Sequence, residues 1–439
     1  MHERTRAPHA RDHRPVMPTA ETAQNYTDAE LSLFQLLDPE VLANPYPLFH
    51  RIRATDPVHW DMFLHAWVIT RYEDVVRVFK TFSADRTPAP QQLSEMGLDH
   101  MAPIAALMVK QMLFLDPPMH TRIRSLAAFV FTPRRVAVLR ERIEDIARRL
   151  LLRVAERGEM DVIADFASPL PAIITAAMLG VPEEDYEQLK NWSADFAEML
   201  GNFQHNPDRT PKILKTVEEM TAYFQDQVRE QRQHPREGLL HSLLAAEVDG
   251  DKLTEEEIVA NAIITMIGGQ ETTTNLIGNG LLALVRQPDE LRRLRGDPAM
   301  LIPAVEELLR YDCPSQHTAR IAPADVELGG KQIREGQAVI AVMAAANRDP
   351  ERFPDPDRLD LARTDNRHLA FGWASHFCFG APLARLEGQI SFSLLTQVRN
   401  LHLKSESLEW RNNLGLRGLV ALPVGFDSSA AIQMATSRS

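Results

Sequence analysis

A cysteine in a short loop flanked by glycines is the feature that most constrains this chain. Cys378 lies near the end of Phe371-Gly-Trp-Ala-Ser-His-Phe-Cys-Phe-Gly380, and Pro382 follows two residues later. Proline fits the first turn of a helix, where its missing N–H costs nothing, so a helix is predicted to start at Pro382. Gly380 would let backbone amides approach the sulfur and, with the positive end of that helix, stabilise a thiolate. Most lone cysteines are simply buried, so the cysteine alone would favour a structural role. The surrounding residues instead favour a thiolate ligand.

A long helix with an unusual centre is the second constraint. The sequence predicts a helix from about Glu255 to Arg286, starting at a capping box formed by Thr254 and Glu257. Its apolar centre predicts burial, yet that centre is followed by Gly-Gly-Gln-Glu-Thr-Thr at residues 268–273. Each glycine costs about 1 kcal/mol in a helix interior, and buried polar groups cost desolvation. A sequence that breaks local rules in this way usually does so for function. The alternative is a glycine packing contact with an exposed acid.

Both segments resemble those of the cytochrome P450 family, the haem-thiolate monooxygenases. The loop is similar to the family's pattern Phe-Gly-x-Gly-x-His-x-Cys-x-Gly, with a departure at Ala374. It matches at Phe371, Gly372, His376, Cys378 and Gly380. The resemblance implies that Cys378 is the axial thiolate of haem b (iron protoporphyrin IX), where it favours O–O cleavage.

The helix segment is similar to the family's oxygen-binding run Ala/Gly-Gly-x-Asp/Glu-Thr-Thr/Ser. The resemblance implies that Gly268 and Gly269 let the helix open and make room for dioxygen. It also implies that Thr272 hydrogen-bonds dioxygen and that Glu271 relays protons through water.

Four bases and one ion pair also match the family by position. The resemblance implies that His120, Arg124, Arg320 and His376 bind the haem propionates; the alternative for each is a solvated base. Glu307 and Arg310 match the family's Glu-x-x-Arg, and they are expected to join Arg358 in a buried structural cluster.

The substrate pocket is predicted from family position. Residues 87–113 have no steady period and are predicted to form a long functional loop. Apolar and polar pocket candidates are Met96, Met101, Leu107, Met108, Ile264, Ile267, Gln316 and His317. The apolar ones could equally belong to the core. The set suits a medium or large apolar organic substrate, such as a polyketide, terpenoid, steroid or fatty-acid-like molecule.

Electrons must come from a separate protein, since the sequence carries no flavin or iron–sulfur motif. The expected donors are a ferredoxin and its NAD(P)H-dependent reductase, which would dock near Arg122, Arg134, Arg135 and Arg140. The alternative is scattered, solvated arginine. Two other functions are a peroxide-driven peroxygenase and a non-catalytic haem-binding sensor, and the pair of Glu271 and Thr272 argues against both. A zinc site at His376 and Cys378 has weaker support.

Composition agrees with a bacterial-type, cytoplasmic member of this family. The net charge of -12 argues against nucleic-acid binding. Two cysteines cannot form a disulfide framework, and no apolar run is long enough to cross a bilayer. We expect a monomer with a disordered lead-in (residues 1–26), a single catalytic domain (27–427) and a C-terminal tail (428–439).

The resemblance implies a mainly α fold with small β-sheets (α+β), shaped as a triangular helical prism. Near the start of the domain, the sequence predicts a helix at residues 47–54, strands at 58–61 and 66–70, and a helix at 72–80.

Overall fold

The protein is described by a computed structural model, which covers residues 31–128, 131–201, 208–248 and 251–436. The predicted disordered lead-in, residues 1–26, lies outside the described residues. The α-helices are α1 (Pro39–Ala43), α2 (Tyr46–Thr55), α3 (Tyr72–Thr81), α4 (Pro90–Glu95), α5 (Ala102–Met108), α6 (Met119–Ala128), α7 (Pro133–Val138), α8 (Arg140–Ala155), α9 (Pro169–Leu179), α10 (Tyr186–Gly201), α11 (Thr210–Gln233), α12 (Leu239–Ala245), α13 (Glu255–Arg286), α14 (Pro288–Gly296), α15 (Leu301–Tyr311), α16 (Met343–Ala346), α17 (Ala381–Leu395) and α18 (Ser428–Thr436).

The strands form small sheets, so the fold is mainly α, as predicted. They are β1 (Val58–Asp61), β2 (Ala66–Ile69), β3 (Glu159–Asp161), β4 (Glu247–Val248), β5 (Asp251–Lys252), β6 (Thr318–Ile321), β7 (Val326–Leu328), β8 (Lys331–Ile333), β9 (Ala338–Ala341), β10 (His402–Leu403) and β11 (Pro423–Gly425). The largest sheet has the order β1-β2-β9-β6. Within it, β2 and β9 are parallel, and the other neighbours are antiparallel.

Helix α13 runs through the centre of the larger hydrophobic core. It packs against α9, α10, α11 and α17, and its middle turns are buried on nearly every side. The predicted capping box is present: Thr254 Oγ1 accepts from the amide of Glu257, while the Glu257 carboxylate accepts from the amide of Thr254. Because α13 is buried along these turns except at Gly268, Gly269 and Thr272, its other polar side chains there must find partners inside the protein.

A second hydrophobic cluster lies around the four-stranded sheet, with α2, α3 and α16 packed on it. An isolated antiparallel bridge between Ser83 and Ile321 ties the segment after α3 to β6. This bridge brings residues 83–86 beside Arg320, and that proximity shapes one edge of the cavity described below.

Two segments differ from the sequence predictions. Residues 87–113 are not a structureless loop, because they contain α4, α5 and the 3₁₀ turns Asp99–Met101 and Met112–Phe114. Proline near the first turn of α4 and of α5 fits these starts. The predicted C-terminal tail instead forms α18, which packs on α8 and buries Ala431 and Ala435. Alanines on one face of a short helix carried too weak an apolar pattern to predict it.

The buried ion cluster has a different third member from the one predicted. Glu307 and Arg310 pair through two hydrogen bonds of 2.8 Å, with neither side chain exposed. The side chain that joins them is Arg363, whose Nε lies 3.2 Å from a Glu307 carboxylate oxygen. Arg358 contributes its main-chain carbonyl to Arg310. The chain turn at residues 355–360 directs the backbone of Arg358, rather than its guanidinium, at the pair.

Candidate active site

The cysteine loop holds Cys378 at the start of α17, as the sequence predicted. The amide of Cys378 donates to the carbonyl of Phe371 over 2.8 Å, which closes the loop. Gly372 has a φ of 69°, and Ala374 adopts the same left-handed region at 56°, so alanine serves here where glycine is usual. Pro382 lies in the first turn of α17.

Backbone amides point at the sulfur of Cys378. Burial raises the pKa of this thiol, while hydrogen bonds from the amides of Gly380 and Ala381 and the nearby charges of Arg124 and Arg385 oppose that rise. A Cβ added at Gly380 would lie 3.8 Å from the sulfur. The donors that would stabilise a thiolate are therefore built into the loop and the first turn of the helix.

The face of α13 opposite the cysteine lines the same cavity, which has a volume of about 350 Å³. A Cβ added at Gly268 would meet nothing within 4 Å, so this glycine leaves open space at the cavity wall. At Gly269 the Cβ would lie 2.9 Å from Thr175 Oγ1, so the second glycine serves close packing against α9. The helix stays continuous through both, contrary to the expectation that it opens there. Thr272 Oγ1 donates to the Gly268 carbonyl over 2.8 Å.

Glu271 lies one residue before Thr272 but points away from the cavity. Its side chain is buried and forms an ion pair with Arg411, which comes from the C-terminal segment. The amide of Arg411 donates to the Gly418 carbonyl, so the arginine belongs to a hairpin that includes Leu416, a residue of the cavity wall. The acid is therefore held by the same segment that contacts the cavity.

Basic side chains gather at one edge of the cavity. His120 and His376 stack with ring centroids 4.1 Å apart, and Arg320 lies beside them. Burial first, and then Arg320 and His120, lower the pKa of His376 to about 3. Burial likewise lowers the pKa of His120. Arg124 donates to the carbonyl of Phe377 over 2.5 Å and borders the cavity near Cys378.

Among the described residues, four buried nitrogens at this edge have no hydrogen-bond partner. They are His120 Nδ1 and Nε2, His376 Nε2 and Arg320 Nε. Buried nitrogens of this kind call for hydrogen-bond partners: Arg320 Nε is a donor, and a neutral imidazole has one donor and one acceptor nitrogen. Three features of the cavity fit an iron macrocycle that carries two carboxylates. The thiol with its amide donors fits the iron, the open wall at Gly268 leaves room, and the basic edge fits the carboxylates. The residues present therefore fit haem.

Several predicted pocket residues lie elsewhere. Met96 is 62% exposed, while Met101, Leu107 and Met108 pack into the larger core. Helices α4 and α5 and the 3₁₀ turn Asp99–Met101 turn these side chains away from the cavity. Two predicted candidates, Ile264 and Ile267, do line the cavity, together with Met112 and Leu113, which were not predicted.

Of the two polar candidates, only His317 reaches the cavity. It is hydrogen-bonded to the backbone of Leu414, and burial lowers its pKa to about 4. Gln316 faces inward, where its Nε2 donates to the Cys313 carbonyl over 2.5 Å. Adjacent residues in this extended segment point in opposite directions, which separates the two side chains.

Sequence reasoning missed two arginines of this site, Arg86 and Arg411. Arg86 lines the cavity, and Arg411 pairs with Glu271. Neither lies in a motif with diagnostic spacing. A buried acid on α13 does imply a cation partner, but only the fold could identify Arg411.

The arginines predicted for partner docking differ in their surroundings. Arg122 and Arg140 form ion pairs within the protein, whereas Arg134 is exposed. Arg122 pairs with Glu257 over 2.7 Å and so ties α6 to α13. Arg140 pairs with Glu144 on its own helix. Arg134 is exposed on α7, which packs against α17, the helix that follows the cysteine loop.

Within the described residues, none of the helices is long and apolar enough to cross a membrane. Among the residues that the structure describes, no group of three or more His, Cys, Asp or Glu side chains is placed to hold a metal ion.

Comparisons with known proteins agree with this geometry. The family model for Cytochrome P450 matches residues 64–426. The Biotin biosynthesis cytochrome P450 of Bacillus subtilis (strain 168) is 39% identical over 393 residues, which cover 88% of this chain and 98% of that protein. The Vitamin D(3) 25-hydroxylase of Pseudonocardia autotrophica is 37% identical over 388 residues, 87% of this chain and 93% of that protein.

A solved structure shows the same fold. The myxobacterial cytochrome P450 CYP267B1, in complex with myristic acid, superimposes with a TM-score of 0.82 at 36% identity, covering 89% of this chain and 98% of that one. The chain therefore belongs to the cytochrome P450 family and is a haem-dependent monooxygenase.

Proposed function

We propose that this enzyme holds haem b through Cys378 and inserts one atom of dioxygen into a medium or large apolar substrate. One observation carries the proposal: the cavity that Cys378 borders is walled on its opposite side by Gly268 and Thr272 and by apolar side chains. The relatives support the substrate class, since one is named for vitamin D(3) and another was solved with myristic acid. We further propose a ferredoxin and its NAD(P)H-dependent reductase as the electron source.

Each group in the site has a distinct task in this proposal. Bound haem supplies the activation of dioxygen and the transfer of one oxygen atom. Cys378 binds the iron, and the amides of Gly380 and Ala381 stabilise its negative charge. Ile264 and Ile267 exclude water and orient an apolar substrate. Thr272 Oγ1 holds a proton close to Gly268, where the wall is open.

Glu271 is proposed to relay that proton through water, and its ion pair with Arg411 has a consequence. The carboxylate cannot reach the cavity while it is bound to Arg411. Proton delivery therefore requires the hairpin that carries Arg411 to shift or the side chain of Glu271 to turn. Because the same hairpin carries Leu416 into the cavity, a bound substrate is placed to influence this step.

The substrate class is tested by ligand-induced changes in haem absorbance. We expect vitamin D(3) and myristic acid to shift the Soret band of the purified protein, because both are largely apolar and suit the wall formed by Ile264 and Ile267. Small polar compounds such as glycerol and acetate should leave the band unchanged. A panel in which only the small polar compounds shift the band would contradict the proposed class. Turnover that proceeds with peroxide but fails with ferredoxin and reductase would favour a peroxygenase.

Glu271→Gln is expected to lower the rate of product formation about 100-fold, the lower end of the range for loss of a positioned proton donor. NAD(P)H consumption should continue, so the ratio of product to NAD(P)H is the quantity to measure. Thr274→Val is the matched control on the same helix, because Thr274 donates to the Ala167 carbonyl over 3.1 Å and does not border the cavity. An unchanged ratio in the Glu271 variant would remove this residue from the proton path.

A further inference from the structure

Arg86 is a half-buried cation at the cavity edge to which the function above gives no task. The bridge between Ser83 and Ile321 holds its segment beside β6, and its guanidinium lines the same cavity as Arg320. Arg86 Nη1 donates to the Ala84 carbonyl over 3.1 Å, and the guanidinium lies 4.5 Å from the ring centre of Phe114. These contacts fix the group in place, but they supply no negative charge.

The acids near Arg86 and Arg320 balance this pair only in part. The charge of Asp85 acts on Arg86 and that of Asp116 acts on Arg320. Asp85 is exposed to solvent, however, and Asp116 accepts hydrogen bonds from Ser83 Oγ and the amide of Ala84. Glu387 borders the cavity, but burial raises its pKa to about 8, so it is largely uncharged at pH 7. Burial and the neighbouring Arg320 lower the pKa of Arg86 to about 9.

Arg320, beside Arg86, is buried and its Nε has no hydrogen-bond partner. A buried charge with an unsatisfied donor is costly, so this edge of the cavity is expected to bind an anion. The planar fork of a guanidinium matches a carboxylate through two parallel hydrogen bonds. Arg124, the third guanidinium on the cavity wall, lies close to Cys378, whose thiolate would balance it. Arg86 and Arg320 are thus left as an adjacent pair that faces the cavity.

We propose that Arg86 is a carboxylate-binding residue of this cavity, acting beside Arg320. The carboxylate comes either from a haem propionate or from the acid end of a fatty-acid-like substrate. The proximity of Arg320, which is predicted to bind a propionate, favours the haem. This inference rests on the proposed function, because both sources of carboxylate belong to it.

The first arm of the test measures haem loss. Holoprotein is mixed with excess apomyoglobin, and the transfer of haem is followed by absorbance for the wild type, Arg86→Met and Arg86→Lys. Loss of a charge-assisted hydrogen bond should speed haem loss about tenfold or more in Arg86→Met and less in Arg86→Lys, which keeps the charge. Arg295→Met is the matched control, since Arg295 binds only the carbonyls of Thr396 and Val398 among its described hydrogen-bond partners.

The second arm distinguishes the substrate as the source. The apparent Kd values of myristic acid and of its methyl ester are measured from Soret difference spectra. If the substrate supplies the carboxylate, Arg86→Met should weaken binding of the acid about tenfold and leave the ester unchanged. The proposal is overturned if Arg86→Met alters neither haem loss nor the acid-to-ester ratio, or if Arg295→Met changes both equally. A wild-type protein that binds no haem would instead refute the proposed function, before any variant is made.

Discussion

Replacing Cys378 by serine is expected to abolish the strongly red-shifted Soret band of the reduced protein with carbon monoxide bound. That band reports a thiolate on the haem iron, and a serine hydroxyl cannot replace the electron donation of sulfur. Monooxygenase turnover should fall below about one-thousandth of the wild-type rate, because O–O cleavage depends on that donation. The absorption spectrum and a turnover assay on the same preparation measure both effects.

Cys313→Ser provides the control for this experiment. Cys313 is fully buried and its sulfur donates to the Ser315 carbonyl over 2.8 Å, a bond that a serine hydroxyl can also make. This variant should keep the red-shifted band. A wild-type band at the position typical of histidine-ligated haem, or a red-shifted band that survives in Cys378→Ser, would show that Cys378 is not the ligand.

Glu307→Ala is expected to lower the free energy of unfolding by about 3–5 kcal/mol, the cost of breaking a buried ion pair. The carboxylate accepts hydrogen bonds from Arg310, Arg363, Asn366 and the amide of Asp360. Its loss leaves the buried charge of Arg310 with main-chain carbonyl partners but without the negative charge of Glu307. Denaturation by urea, followed by far-UV circular dichroism, measures the change.

Two variants make the result of Glu307→Ala interpretable. Glu307→Gln removes the charge while keeping most of the volume, so a similar loss of stability would assign the effect to charge rather than to a cavity. Asp289→Ala removes one partner of an exposed pair with Arg292 on α14 and should leave stability unchanged. If Glu307→Ala unfolds at the same urea concentration as the wild type, the cluster does not stabilise the fold.

Local sequence patterns predicted the elements whose form is set by residues close together in the chain. The capping box at Thr254 and the long apolar run after it specify α13, and the pair of glycines around Cys378 specifies the loop. The helices α4 and α5 within residues 87–113 were not predicted, because both are too short to show an apolar period. Their helical form depends on proline starts and tertiary packing more than on an apolar period.

Long-range partners could not be predicted in the same way. Glu307 and Arg310 are three residues apart on one helix, so their pairing is local, whereas Arg363 reaches Glu307 only through the path of the intervening loop. Arg411 and Glu271 are separated by 140 residues, and their pairing depends on where the C-terminal hairpin packs. Periodicity carries no information about such contacts, because they follow from the complete fold.

The parallel pairing of β2 with β9 bears on how the protein is made. Residues 66–69 cannot complete their sheet until residues 338–341 have left the ribosome. The cavity has the same requirement, since His120 and Cys378 lie 258 residues apart in the chain. At about 5–20 residues per second, synthesis separates them by roughly 13–52 s. During that interval the early helices expose apolar surface that is buried in the folded protein, and their basic side chains have no haem to bind. Haem capture is therefore a late event in the life of each new chain, and it coincides with closure of the core.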